Sequence, residues 1–293
     1  MKDLDIKIKR TSTEDLIPSY HDDYIDTGIV GLLDKLAWGR PLVLKGPKGS
    51  GKTLSIEQWA AKQGVPMVRQ DCSEDIGLRD LIGTFGIQGE EVYYGLGSVT
   101  TAIDIANNEG GCVLVLEEVN TLPAKAQKIL NSVCDYRQAI EVAKIGKVFK
   151  VKKGHKIWVV GTMNPNYSGT YSLNEDFRSR WGFLNVGYMT YELEKDLLEK
   201  SFSRPIGAAE RNIVERVLEL AEITRTGKLG DYALSTRDLV HFVHDFEALG
   251  IQGSLKMLEG KFEDIKDIKD YRAQIASKFE VELKNFSLIN HND

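Results

Sequence analysis

The feature of the sequence that most restricts its fold is a glycine-rich segment, Gly46-Pro47-Lys48-Gly49-Ser50-Gly51-Lys52-Thr53. It has the form G-x-x-x-x-G-K-T, follows the apolar run Pro41–Lys45 and opens a predicted helix. Glycines let the backbone curl so that successive N–H groups point at phosphate oxygens, and the helix start adds its positive dipole end. Lys52 can reach the β- and γ-phosphates, and the Thr53 hydroxyl can ligate Mg²⁺. The segment, extended to Leu54, therefore predicts a nucleotide site, and ATP is the expected ligand.

Around this segment, short apolar runs alternate with amphipathic stretches, which is typical of a parallel sheet with crossover helices. The runs predicted as strands are Pro41–Lys45, Pro66–Gln70, Cys112–Leu116, Ile157–Thr162 and Phe183–Tyr188. The helices predicted between them are Gly51–Gln63, Ser98–Asn107 and Ala124–Tyr136. Two β-hairpins are predicted as insertions, over Phe85–Gly97 and Ile140–Val151.

After Met189 the apolar residues recur at helical spacing. The predicted helices there are Glu192–Phe202, Ala208–Thr224, Ser235–Ala248 and a charged stretch over Glu263–Lys284. We therefore predict an N-terminal extension over residues 1–17, a P-loop NTPase α/β core over 18–191, and a small all-α lid domain over 192–293.

The composition is that of an ordinary soluble globular protein, with 42% hydrophobic and 28% charged residues. A net charge of −5 gives no overall attraction to nucleic acid or to an anionic membrane. The apolar runs are far shorter than the roughly 18 residues of a membrane span, and the N-terminus has no apolar run typical of a signal peptide. Three scattered cysteines are expected to be reduced and mostly buried. These features predict a cytoplasmic location without membrane contact.

Two carboxylates, Glu117 and Glu118, directly follow the apolar run Cys112–Leu116. At the carboxyl end of a strand beside a phosphate loop, one carboxylate can hold Mg²⁺ through its waters, and its neighbour can polarise the attacking water. We assign Glu117 to the metal and Glu118 to the water. Asn164 follows another predicted strand and can hold the attacking water or contact the γ-phosphate; the alternative is a simple Asn-Pro turn.

Taken together, these elements resemble the AAA+ ATPases, and within them the MoxR-like group that includes the CbbQ, NorQ and GvpN types. The resemblance covers residues from about 18 to 245, and both predicted hairpins fall where that group carries them. The segments that carry it, besides the phosphate loop, are Leu116–Asn120, Gly161–Pro165, Ser172–Trp181 and Ser235–Arg237.

The resemblance implies a role for each matching residue. Glu117 and Glu118 match the Walker B pair, and Asn164 matches the residue called sensor 1. Arg180 matches the arginine finger that reaches the γ-phosphate of a neighbouring subunit in a ring, a task that suits the planar guanidinium. Arg178, two positions away, is the rival for this role.

Arg237 matches sensor 2, which contacts the nucleotide from the lid; the alternative is an ordinary residue after the helix-capping Ser235. The sequence departs from the pattern at Glu117, where Asp is expected, and at Trp181, where Phe is commoner. The longer Glu117 moves its carboxylate by more than about 1 Å, which is expected to lower the hydrolysis rate without abolishing ATP binding.

The function implied is a Mg²⁺-dependent ATP hydrolase that forms a homo-oligomeric, hexameric ring and remodels or activates a protein partner. Proteins of this group often work with a partner that carries a von Willebrand factor A domain, which is expected here to be a separate chain. A third reading is a nucleotide-gated scaffold with negligible turnover, which the Glu117 departure suggests.

A nucleic-acid motor or a restriction-type NTPase subunit is the less favoured alternative. It is motivated by lysines on the second predicted hairpin, whereas the acidic overall balance argues against it. These lysines also suit a solvated edge strand. They are Lys147, Lys150, Lys152, Lys153 and Lys156.

Overall fold

The computed structural model describes residues 7–9, 12–13, 15–165, 171–229 and 232–279. They form two compact units. The first comprises the described residues up to Gly46 together with Gly51–Val186, and the second comprises Pro47–Ser50 together with the described residues from Gly187 onward. The sequence-predicted boundaries at residues 17 and 191 stay predictions.

The first unit mixes strands and helices. Its described elements are β1 (Lys7–Lys9), α1 (Ile29–Leu36), β2 (Leu42–Lys45), α2 (Lys52–Gln63), β3 (Met67–Asp71), α3 (Leu78–Leu81), β4 (Gly83–Gln88), β5 (Glu91–Leu96), α4 (Ser98–Glu109), β6 (Gly111–Glu117), α5 (Ala124–Leu130), β7 (Ala139–Val142), β8 (Lys147–Lys150), β9 (Lys156–Met163), α6 (Glu175–Arg180) and β10 (Gly182–Asn185).

A five-stranded parallel sheet forms the centre of the first unit, in the order β10-β2-β9-β6-β3. Residues 112–116 of β6 are completely buried, as expected for a strand covered by packing on both faces. The five strands are those that the apolar runs predict, and the α/β P-loop fold is confirmed. Because the strands are parallel, their carboxyl ends meet at one edge, where the phosphate loop follows β2 and the acidic pair follows β6.

Both predicted hairpins are present: β4 pairs antiparallel with β5 before α4, and β7 pairs with β8 before β9. In the first hairpin, Tyr94 is buried and packs edge-to-face against Phe85, with ring centroids 5.3 Å apart. The sequence did not predict β1, which extends this hairpin by pairing parallel with β5. Lys7 of β1 forms an ion pair with Glu91 at 2.6 Å.

The helix predicted over Ala124–Tyr136 is wrong in its length, because α5 ends at Leu130. The residues that follow are Asn, Ser, Val, Cys and Asp, all weaker helix formers than the Ala-Lys-Ala-Gln-Lys run before them. Their chain turns instead, with the Cys134 amide donating to the Leu130 carbonyl, and leads into β7.

The second unit is helical apart from the loop segment Pro47–Ser50. Its described helices are α7 (Tyr191–Lys200), α8 (Ala208–Arg225), α9 (Thr236–Glu259) and α10 (Ile265–Lys278). The helix α9 runs beyond its predicted end at Ala248 but breaks direction at Gly250, whose φ of 70° and ψ of −178° are not helical. The predicted charged helix ends at Lys278, and residues 280–284 of that prediction lie outside the described residues.

The interior of the second unit contains an ion pair. Arg225 donates to both carboxylate oxygens of Glu194, at 2.7 and 2.8 Å, and Thr236 donates to the same carboxylate at 2.6 Å. The Arg225 guanidinium also stacks over the Tyr188 ring, 4.0 Å from its centroid. These contacts join α7, α8 and the start of α9.

Among the helices of the described residues, none combines the length and the apolar character that crossing a lipid bilayer requires.

Candidate nucleotide-binding and hydrolysis site

The phosphate loop begins at Gly46, where β2 ends. The Gly46 amide donates to the carbonyl of Met163 on β9 at 3.0 Å, which ties the start of the loop to the sheet. A Cβ atom at Gly46 would lie 1.9 Å from the carbonyl oxygen of Val186, so only glycine fits there. Gly51 has a φ of 80° and directly precedes α2. Its left-handed conformation, which glycine adopts without strain, turns the chain into the helix.

Lys52 is the first residue of α2 and is buried. Its Nζ donates to the Gly46 carbonyl at 3.0 Å and to Oδ1 of Asn164 at 2.9 Å. A buried ammonium group at the start of a helix places a fixed positive charge beside the loop amides. This is the charge arrangement that a triphosphate requires.

Thr53 and Glu117 lie together although 64 residues separate them in sequence. The Thr53 hydroxyl donates to Oε2 of Glu117 at 3.2 Å. A hydroxyl and a carboxylate oxygen are the hard ligands that Mg²⁺ prefers, and this ion usually keeps several waters and needs only one or two protein ligands. The described residues contain no group of three or more His, Cys, Asp or Glu side chains suited to a metal. The Thr53–Glu117 pair therefore fits Mg²⁺ bound together with phosphate oxygens, and the longer Glu117 side chain does reach Thr53.

Glu118 has the left-handed backbone conformation, with φ 54° and ψ 47°. Its amide donates to the Thr162 hydroxyl at 3.2 Å, and its carbonyl accepts from the amide and hydroxyl of Thr121, both at 2.8 Å. A non-glycine residue in this region carries strain that persists only where surrounding contacts fix it, and such residues cluster at functional sites. The two threonines supply that fixation.

Asn164 links the lysine to the second carboxylate. Its Oδ1 accepts from Lys52 at 2.9 Å, and its Nδ2 donates to Oε1 of Glu118 at 3.0 Å. Because an ammonium group can only donate and a carboxylate can only accept, these partners determine which end of the amide is oxygen. The Asn164 carbonyl accepts from Asn120 Nδ2 at 3.1 Å, which joins the loops that follow β6 and β9. The structure thus brings Lys52, Asn164 and Glu118 together.

Comparison with known proteins identifies the region that holds this network. Residues 41–181 match the family model described as the AAA domain of the dynein-related subfamily. The match begins just before β2 and ends just after α6, so it includes the loop, the acidic pair and Asn164. Residues 41–181 are an AAA ATPase domain. The expectation of an ATP hydrolase is thereby confirmed.

Proteins similar to the whole chain are found among bacteria. An uncharacterized protein of Staphylococcus haemolyticus is 28% identical over 247 residues, which cover 83% of this chain and 89% of that protein. The uncharacterized protein YojN of Bacillus subtilis is 29% identical over 209 residues, which cover 70% of this chain and 66% of YojN. The crystal structure of NtrX from Brucella abortus superposes with a TM-score of 0.52 at 16% identity, covering 89% of this chain and 64% of that one. This last similarity concerns the fold.

The two arginine-finger candidates lie on α6 at the end of the AAA domain. Arg178 is exposed, whereas Arg180 is partly buried and donates from Nη1 to the carbonyl of Asp176 at 2.6 Å. The hydrogen bond from Arg137 lowers the pKa of Asp135, and the charge of Arg180 adds a smaller effect in the same direction. Arg180 therefore lies near Asp135. Its contact with a neighbouring subunit stays a prediction.

Arg237 lies in the second unit and is exposed, in the first turn of α9. The helix begins with a capping box, in which Ser235 accepts from the Asp238 amide and Asp238 accepts from the Ser235 amide. Its role as a nucleotide contact stays a prediction. Leu54 is an exposed residue of α2, and its predicted contact with the nucleotide also stays a prediction.

Cys72 is the cysteine nearest to the acidic pair in the hydrogen-bond pattern, since its amide donates to the Glu117 carbonyl at 3.0 Å. Burial raises the pKa of the Cys72 thiol to about 12, and the charges of Asp71, Glu117 and Glu118 add to this. The thiol stays protonated at neutral pH, so it serves neither as a nucleophile nor as a metal ligand. All three cysteines are free and buried, as expected.

The sequence reasoning gave no site role to four residues that fix this geometry. Asn120, Thr121 and Thr162 hold the loops by hydrogen bonds, and Arg69 of β3 lies with its Nη1 3.7 Å from Oε1 of Glu117. Asn120 is part of the quoted Leu116–Asn120 segment, whereas the others carry no signal in the sequence, because their partners are distant along the chain.

Proposed function

We propose that this chain is a Mg²⁺-dependent, ring-forming ATPase of the MoxR-like group that remodels or activates a protein partner. The observation that carries the proposal is the continuous network Lys52–Asn164–Glu118, with Thr53 and Glu117 beside it. Positive charge, a hard metal-ligand pair and an oriented carboxylate are the three elements that phosphoryl transfer to water needs.

Each residue would have a distinct task in hydrolysis. The loop amides and Lys52 would bind the triphosphate, while Thr53 and Glu117 would hold Mg²⁺, which neutralises charge on the β- and γ-phosphates. Glu118 would accept a hydrogen bond from the attacking water and take up its proton. Asn164 would keep the Glu118 carboxylate in place by the hydrogen bond from its Nδ2.

The ring assembly is proposed because the residues of this network include no arginine. Arginine supplies a large part of the rate of phosphoryl transfer when it contacts the transferred group. Arg180, on a short helix at the end of the AAA domain, would supply this group to the site of the next subunit. ATP hydrolysis would then depend on assembly into a homo-oligomer, which we propose to be a hexamer.

The choice of a protein partner is supported by the tip of the first hairpin. Ile87 and Val92 face each other in the β4–β5 register and are 75% and 56% exposed. Exposed aliphatic pairs suit contact with protein, whereas nucleic-acid grooves present cationic and aromatic side chains. A von Willebrand factor A domain on a separate chain is the proposed class of partner.

The proposal is tested by assembly and turnover of the purified chain. We expect a hexamer by mass photometry when a non-hydrolysable ATP analogue and Mg²⁺ are present, and phosphate release that EDTA abolishes. A chain that stays monomeric while it hydrolyses ATP at full rate would refute the ring.

Adding single- or double-stranded DNA distinguishes the partner class. Under the proposal, DNA leaves turnover unchanged. Strong stimulation that falls steeply with salt would instead identify a nucleic-acid motor that uses the lysines of the second hairpin.

A further inference from the structure

Arg69 lies on β3, the edge strand beside β6. In the parallel register Arg69 is opposite Val115, two residues before Glu117. Side chains two residues apart on a strand lie on the same face of the sheet, so Arg69 and Glu117 project to the same side. The Arg69 Nη1 atom is 3.7 Å from Oε1 of Glu117, whereas the other carboxylate oxygen, Oε2, accepts from Thr53 at 3.2 Å.

The second terminal nitrogen of Arg69 forms an ion pair with Glu57. Glu57 follows Thr53 by four residues on α2, so the two side chains lie on one face of that helix. The contacts therefore form a closed circuit of Glu57, Arg69, Glu117 and Thr53. One guanidinium bridges the helix that carries the hydroxyl and the strand that carries the carboxylate.

We propose that Arg69 is a positioning residue for the Mg²⁺ site, holding the Glu117 carboxylate so that Oε2 stays directed at Thr53. The inference rests on the proposed Mg²⁺-dependent ATPase function. A glutamate has one more rotatable bond than an aspartate, and an unrestrained carboxylate would sample several positions at the strand end. Arg69 removes that freedom by holding Oε1.

The length of residue 117 makes the contact specific. An aspartate would withdraw its carboxylate by roughly 1.3 Å, which moves it out of ion-pair range of Arg69. Arg69 therefore compensates for the glutamate at this position, and its contribution should disappear when residue 117 is shortened.

The test is a double-mutant cycle of Arg69→Lys and Glu117→Asp, because lysine keeps the positive charge but lacks the fork that bridges two carboxylates. The affinity of a fluorescent ATP analogue is measured at increasing free Mg²⁺, and the half-saturating Mg²⁺ concentration is compared. We expect Arg69→Lys to raise that concentration about two- to fivefold when Glu117 is intact, as for a partly exposed ion pair. When the chain also carries Glu117→Asp, we expect Arg69→Lys to change it by less than about 1.5-fold.

A matched control is Arg211→Lys in the helical unit, since Arg211 forms an ion pair of the same 3.7 Å length with Glu199. It should leave the Mg²⁺ dependence unchanged. Equal shifts with and without Glu117→Asp, or no shift in either case, would overturn the role of Arg69. Analogue affinity in EDTA and thermal unfolding should be unchanged in Arg69→Lys; a loss of either would show a structural role instead.

The two proposals fail in different ways. If the wild-type chain binds the analogue equally well with and without Mg²⁺, the metal-dependent function itself is wrong. If wild type requires Mg²⁺ but the cycle shows no coupling, only the role of Arg69 is wrong.

Discussion

Asn164 donates a hydrogen bond from Nδ2 to Oε1 of Glu118 at 3.0 Å. The other end of the same amide accepts from Lys52 at 2.9 Å, so a neutral group lies between the cation of the phosphate loop and the second carboxylate of the acidic pair. A direct Lys52–Glu118 ion pair would neutralise both groups for their separate tasks. The amide keeps each group charged and oriented.

Replacing Glu118 by Gln should separate binding from hydrolysis. Gln keeps the length of the side chain and an oxygen that can accept from Asn164, but it cannot take up a proton from water. We expect Glu118→Gln to bind ATP with unchanged affinity and to lower turnover by about 10²–10⁴-fold. Analogue binding and single-turnover phosphate release measure the two effects. Unchanged turnover would remove Glu118 from the assigned role.

Removing the amide of Asn164 should also slow hydrolysis. In Asn164→Ala the Glu118 carboxylate loses its donor and Lys52 loses one acceptor, so we expect turnover to fall roughly 10²-fold while the fold is retained. Steady-state phosphate release with circular dichroism as a fold check is the measurement. Asn108→Ala is the control, because the Asn108 amide donates to Asp104 of its own exposed helix face at 3.4 Å, away from the site. Similar losses in both variants would contradict a specific role for Asn164.

The sequence predicts the sheet and the phosphate loop well because both have local causes. The strand Cys112–Leu116 is a continuous apolar run that ends at two carboxylates, and the loop needs its glycines at fixed spacing. By contrast, nothing local reveals the three-residue strand β1, which exists only because β5 offers an unpaired edge. The end of α5 is missed since helix propensity falls gradually over Asn131–Asp135.

The site is predictable only in part, for a related physical reason. The residue types at 52, 118 and 164 indicate their chemistry, whereas their mutual hydrogen bonds depend on strands that are far apart in sequence. The left-handed backbone of Glu118 is fixed by Thr162, 44 residues away. Arg69 acts through the longer Glu117, so the departure from the expected aspartate acquires a structural explanation only once β3 and β6 are seen side by side.

The ion pair inside the helical unit should contribute strongly to its stability. Glu194 is 2% exposed, so Glu194→Gln leaves the buried Arg225 without its countercharge, and we expect a loss of about 3 kcal/mol in the free energy of unfolding. Urea unfolding followed by circular dichroism measures it. The control is Asp196→Ala on the same helix, which breaks an exposed pair with Lys200 and should cost about 0.3–0.5 kcal/mol. Equal costs would show that burial of the pair is irrelevant.

Arg180 should act on the site of the neighbouring subunit. We expect Arg180→Ala rings to lose about 10³-fold or more in turnover. Mixing Arg180→Ala subunits with Glu118→Gln subunits should restore part of the activity, because some interfaces then combine an intact Glu118 with an intact Arg180. The same mixing with Arg178→Ala distinguishes the rival residue. Rings of Arg180→Ala that hydrolyse ATP at the wild-type rate would exclude Arg180 as the finger.

Gly46 should tolerate no side chain. In Gly46→Ala the new Cβ would meet the Val186 carbonyl oxygen at 1.9 Å, and because both atoms belong to the backbone frame of the sheet, the strand end or the loop must move. We expect a loss of about 1–3 kcal/mol in unfolding free energy together with loss of ATP-analogue binding. Gly31→Ala is the matched control: a Cβ at Gly31 meets nothing within 4 Å and lies in α1, so it should stabilise by about 0.5–1 kcal/mol. Thermal unfolding and analogue binding measure both variants, and a Gly46→Ala chain that binds the analogue normally would show that the loop has room this geometry denies.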